Sequence, residues 1–61
     1  MKILVACEMS GEIRGRLRRL GFDAFSCDLL PALDGETKHH YQGYVRDILY
    51  EDWDALISHP P

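Results

Sequence analysis

Sixty-one residues allow one small domain, and a chain of that size buries only about 60% of the surface its unfolded form exposes. An apolar share of 46% and a charged share of 28% are those of an ordinary globular protein rather than a disordered one. A net charge of -3 argues against a free-standing nucleic-acid binder working through phosphate contacts, and no apolar run approaches the roughly 20 residues of a membrane span.

Residues 2–7, continuously apolar after Lys2, have the pattern of a strand buried on both faces of a parallel sheet. The run is too short for a signal peptide and is followed at once by Glu8, so a cytoplasmic protein is expected. Glu8-Met9-Ser10-Gly11 reads as a tight polar turn, with Ser10 as N-cap of a helix and Glu12 in its first turn. Ile13, Leu17 and Leu20 make one apolar helix stripe, and Gly21 suits the left-handed position just past the helix end. Arg14, Arg16, Arg18 and Arg19 cluster here; they could touch phosphate, but a solvated helix face is the favoured reading.

A second strand is predicted over 22–27, ending at Asp28, which completes a βαβ unit with the usual right-handed crossover. Residues 29–40, with Pro31, Asp34 and Gly35, read as a loop. A short third strand is expected at 40–42, a short helix at 45–50 and a fourth strand at 53–58, with Trp53 and Tyr41 covering the sheet. Cys7 and Cys27 each end a predicted strand and lack CxxC spacing, so both read as reduced, buried core residues. The fold predicted is α/β: a Rossmann-like parallel sheet of about four strands in the order 3-2-1-4.

In such sheets ligands bind outside the carboxyl ends of the strands. Three features fall there: the Glu8 to Gly11 turn, Asp28, and His59-Pro60-Pro61. A turn entering a helix offers backbone N–H groups, and Gly11 would let the backbone approach a ligand closely. A strand-ending acid such as Asp28 can accept hydrogen bonds from both ribose hydroxyls of a nucleotide. Taken singly, Ser10-Gly11 is more often a helix cap and Asp28 a loop residue; their placement in one βαβ unit favours a cofactor site. The full G-x-G-x-x-G fingerprint is absent, which counts against nicotinamide or flavin.

The runs Val5-Ala6-Cys7-Glu8-Met9-Ser10-Gly11, Ser26-Cys27-Asp28-Leu29-Leu30-Pro31, Gln42-Gly43 and Trp53-Asp54-Ala55-Leu56-Ile57-Ser58-His59-Pro60-Pro61 resemble a family of DNA methyltransferases common in phages and bacteria. More distantly they are similar to the cytosine methyltransferases that modify the five-position of the ring. The resemblance implies that residues 1–61 are the amino-terminal, S-adenosylmethionine-binding half of a Rossmann-like methyltransferase domain. It implies cofactor contacts at Cys7, Glu8, Met9, Ser10 and Gly11, ribose binding at Asp28, and adenine packing at Leu29. Gly43 and Tyr44 would also border the cofactor, although the family usually has Asp where this chain has Tyr44. His59, Pro60 and Pro61 would lie at the catalytic motif.

In that family the nucleophilic cysteine follows the two prolines, and a cytosine methyltransferase needs such a thiolate to attack the base. The sequence in hand ends at Pro61, so no turnover is expected from it alone, and DNA would be engaged through further parts of the domain. The alternative is a small non-enzymatic α/β module that binds a nucleotide or a protein. The outer edge of the fourth strand, apolar and without Lys or Pro, is expected to favour self-association.

Overall fold

The computed structural model describes residues 1–58. Strands β1 (Lys2–Ala6), β2 (Asp23–Asp28), β3 (His40–Gln42) and β4 (Ala55–Ser58) form one parallel sheet in the order β3-β2-β1-β4. Helix α1 (Glu12–Arg19) links β1 to β2, and a 3₁₀ turn (Val45–Asp47) lies between β3 and β4. The architecture is therefore the α/β, Rossmann-like one, with the predicted strand order. No helix among the described residues is long and apolar enough to cross a membrane.

β1 takes a central place because Ile3, Leu4, Val5 and Ala6 tolerate burial on both faces; Leu4 and Val5 are fully buried. Register then sorts the side chains. Leu4 pairs with Phe25 and Leu56, and Cys27 with Tyr41, on one face. That face carries the cluster of Leu4, Cys27 and Ile48, with Phe25, Val45 and Trp53 packed against it. The Trp53 ring meets Phe25 edge-on at 5.7 Å, and its indole N–H donates to the Ile48 carbonyl at 2.7 Å. Val5 pairs with Ser26, and Ser26 with His40, on the opposite face. Helix α1 packs on this second face, where Arg14 reaches Ser26 and Arg18 reaches the Ala24 carbonyl.

Several boundaries differ from those read in the sequence. β2 is shifted by one residue to include Asp28, and β4 begins only at Ala55, because Trp53 turns onto the sheet before pairing starts. The expected helix at 45–50 is limited to one 3₁₀ turn, after which Ile48 is buried. Leu20 is 74% exposed: α1 ends at Arg19, so the last position of the apolar stripe falls on the turn into β2.

Two corrections matter more. The N-cap of α1 is Gly11, not Ser10, and Gly11 adopts the left-handed φ of 83°. A Cβ built on Gly11 would collide with the Asp34 carboxylate and the Arg14 guanidinium, so the glycine makes room for that ion pair. The arginines, second, do not form a uniformly solvated face. Arg14 is 3% exposed, donating from Nη1 to Ser26 Oγ at 2.6 Å and from Nη2 to Asp34.

A buried guanidinium with one carboxylate partner should be more sensitive to loss of the partner than to its own replacement by an apolar chain. Asp34→Ala is expected to destabilise by about 2–3 kcal/mol, below the range of a fully buried pair because the Asp34 side chain is 41% exposed. Arg14→Met, which removes the buried charge and leaves Asp34 free to hydrate, should cost about 1–2 kcal/mol. Urea denaturation of both variants gives the order; a larger loss for Arg14→Met would show that the guanidinium contributes net stability rather than needing compensation.

Candidate functional site

The carboxyl ends of β1, β2 and β3 open onto one cavity of about 430 Å³. Cys7 and Met9 line it from the turn after β1, Cys27 and Asp28 from the end of β2, Leu29 and Leu30 from the following segment, and Gly43, Tyr44 and Val45 from beyond β3. Of the residues named from the sequence, Cys7, Met9, Asp28, Leu29, Gly43 and Tyr44 are therefore brought together. Leu30, Val45 and Cys27 complete the lining, and the exposed Leu29-Leu30 pair behind a strand-ending acid was the signal for the first of these. His59, Pro60 and Pro61 lie outside the described residues.

Cys7 corrects the expectation of a buried strand residue. The β1 ladder stops at Ala6, and Cys7 has a left-handed φ of 59° and is exposed. The turn this produces aims the Glu8 amide at the Cys27 carbonyl, 3.1 Å away. Cys27 is buried as expected, and burial, reinforced by negative charge at Cys7, Asp28 and Asp47, pushes its thiol up to about 11.

Glu8, Ser10 and Gly11 are not on this cavity but at its flank. Glu8 is 4% exposed, and its Oε1 accepts from Ser10 Oγ at 2.5 Å and from the Gly11 amide at 2.8 Å. Ser10 Oγ in turn accepts from the Glu12 amide at 3.2 Å. Two of the amides that open α1, those of Gly11 and Glu12, are thus bonded within the chain, and a carboxylate lies at the helix start where this fold commonly receives a phosphate. Glu8 Oε2 is buried and without a hydrogen-bond partner among the described residues. A second cavity of about 420 Å³, lined by Cys7, Glu8, Met9, Ser10, Glu12 and Ile13, adjoins the first along the Cys7–Met9 turn.

Among the described residues, Asp28 is the one charged residue on the main cavity. Its Oδ1 accepts from the Leu30 amide at 3.0 Å, and no hydrogen bond among the described residues engages Oδ2. An apolar hollow with one carboxylate at its edge can bind a flat, weakly polar group and accept hydrogen bonds from hydroxyls beside it. With Asp28 on its lining, Glu8 at its flank and no Lys or Arg among the described lining residues, it disfavours polyphosphate and tolerates positive charge.

No protein-family model, curated protein or solved structure matches the chain.

The thiols provide a check on this geometry. Exposed Cys7 should react with iodoacetamide in the native protein at pH 8, while Cys27, protonated up to about pH 11, should react only on unfolding. Mass spectrometry of partially labelled protein separates the two, and equal labelling rates would show that the wall around Cys27 is not closed.

Proposed function

We propose that this chain binds S-adenosylmethionine in the cavity between Cys7, Asp28 and Tyr44, and that it is the cofactor-binding portion of a DNA methyltransferase. The observation that carries the reading is the Glu8 carboxylate at the start of α1, hydrogen-bonded to Ser10 and the Gly11 amide. It disfavours cofactors gripped by phosphate and suits one that has adenosine and a positive charge but no phosphate. The unpartnered Glu8 Oε2 adds to the negative potential beside the cavity.

In this reading Leu29, Leu30 and Tyr44 pack against the adenine, and the free Asp28 oxygen accepts from the ribose hydroxyls. The Cys7–Met9 turn leads to the second cavity, where Glu8 and Glu12 would face the amino-acid end of the cofactor. When bound, the cofactor supplies an electrophilic methyl group; the residues described here bind and orient it. The resemblance over the four runs quoted above supports DNA as the acceptor. The alternative of a nucleotide-binding module fits the Glu8 arrangement less well, because a phosphate would lie against a carboxylate.

Calorimetry with S-adenosylmethionine, S-adenosylhomocysteine, ATP and NADH tests the choice. The first two should bind and the last two should not. Asp28→Ala should weaken binding by about 1–3 kcal/mol, a factor of roughly 5 to 150. Tighter binding of ATP or NADH, or an unchanged affinity in Asp28→Ala, would contradict the proposal.

Self-association through β4 is proposed on a separate observation. The outer edge of β4 has no partner strand among the described residues, and Leu56, on the same sheet face as Leu4, is left 53% exposed at that edge. Leu56→Lys should therefore lower the sedimentation coefficient at high micromolar concentration without altering far-ultraviolet circular dichroism. Identical sedimentation of both proteins would remove this edge as an interface.

A further inference from the structure

A chain of hydrogen bonds runs behind the wall of the cavity, and its donors and acceptors can be assigned from chemistry alone. His40 Nε2 lies 3.0 Å from the Leu30 carbonyl, which only accepts, so Nε2 carries a proton. Arg14 Nη1 only donates, so Ser26 Oγ, 2.6 Å away, accepts from it. Ser26 is fully buried, and its remaining neighbour is His40 Nδ1 at 2.7 Å. With Nδ1 unprotonated, the hydroxyl donates to it and every group is satisfied. With Nδ1 protonated, the Ser26 hydroxyl would receive two donors and hold its own hydrogen against no acceptor, beside a buried guanidinium.

We propose that His40 is a positioning residue, held as the neutral Nε2–H tautomer, which sets the Leu29–Leu30 wall and through it the Asp28 carboxylate. The link is direct: Leu30 receives His40 at its carbonyl and gives its amide to Asp28 Oδ1 at 3.0 Å. Register places Ser26 opposite His40, so the relay is built into the β2–β3 pairing. The ligand-binding part of the inference rests on the cavity being the cofactor site; the tautomer and its coupling to Leu30 do not.

Protonation at Nδ1 would break the Ser26–His40 bond while Nε2 still donates to Leu30, so the ring should shift away from Ser26 and carry the Leu29–Leu30 wall with it. Arg14 on α1 opposes an imidazolium through the shared Ser26 oxygen, and Asp34 is engaged by Arg14. Glu36 pairs with His39, and Asp28 accepts from the neutral Leu30 amide and keeps its charge. Lys2, Lys38, Glu51 and Tyr41 share a groove with His40, where Glu51 pairs with Lys2 at 3.5 Å and Tyr41 donates to Asp47.

The test is a ¹⁵N–¹H correlation of the histidine rings in the full chain, followed by titration across the histidine range of about pH 5 to 8. At the alkaline end His40 should show a pyrrole-type Nε2 and a pyridine-type Nδ1. As pH falls, the Leu29 and Leu30 amide shifts should move with the midpoint of the His40 ring. Over the same range S-adenosylhomocysteine affinity should fall about tenfold, His40→Gln should flatten the profile, and His39→Gln should leave it intact. An Nδ1–H tautomer, or Leu29 and Leu30 amides indifferent to the ring's titration, would overturn the proposal in the unmodified protein, whatever the variants do. Loss of all ligand binding with the tautomer and amide response preserved would support the relay and overturn the cofactor reading instead.

Discussion

A buried guanidinium holds the pieces of this small molecule in register. Arg14 projects from α1 onto β2, where it meets Ser26, and outward to Asp34 in the segment that follows β2. One side chain thus ties helix, sheet and cavity-forming loop together. Its demands propagate: Gly11 has to lack a side chain so that the ion pair fits, and Ser26 has to be small and polar at a fully buried sheet position. The loop is closed a second time by the Leu33 amide, which donates to the Met9 carbonyl at 2.7 Å and joins the two segments bordering the cavity. With one α-helix against the sheet among the described residues, polar ties of this kind stand where a larger protein would use apolar layers.

The fold was legible because its signals are periodic and local. The run from Ile3 to Ala6 could only be a strand covered on both sides, and a helical stretch between two such runs implies parallel pairing. That Cys7, Asp28 and Gly43 line one cavity was legible for a topological reason: the ends of parallel strands meet, so these residues had to approach one another. Hidden from the sequence were features set by contacts distant along the chain. Arg14 is one of four arginines in a short stretch, and nothing local distinguishes the buried one from the solvated ones; its partners Ser26 and Asp34 are 12 and 20 residues away. Cys7 looked like strand because its residue type suits one, whereas its left-handed backbone follows from where the ladder ends.

Glu8 sets the start of α1 apart from an open anion-binding turn. A helix start behind a β1 turn normally recruits an anion, and here the chain supplies that anion itself. The main cavity beside it has largely apolar walls with the Asp28 carboxylate at its edge, and Glu8 lies at its flank.

The most direct measurement is amide chemical-shift mapping of the ¹⁵N-labelled chain during titration with S-adenosylhomocysteine. The account predicts saturable shifts at residues 7–9, 28–30 and 43–45, with Lys2, Phe25 and Trp53 at the other end of the sheet unaffected. Absence of shifts, or shifts centred on Lys2, Phe25 and Trp53, would contradict it.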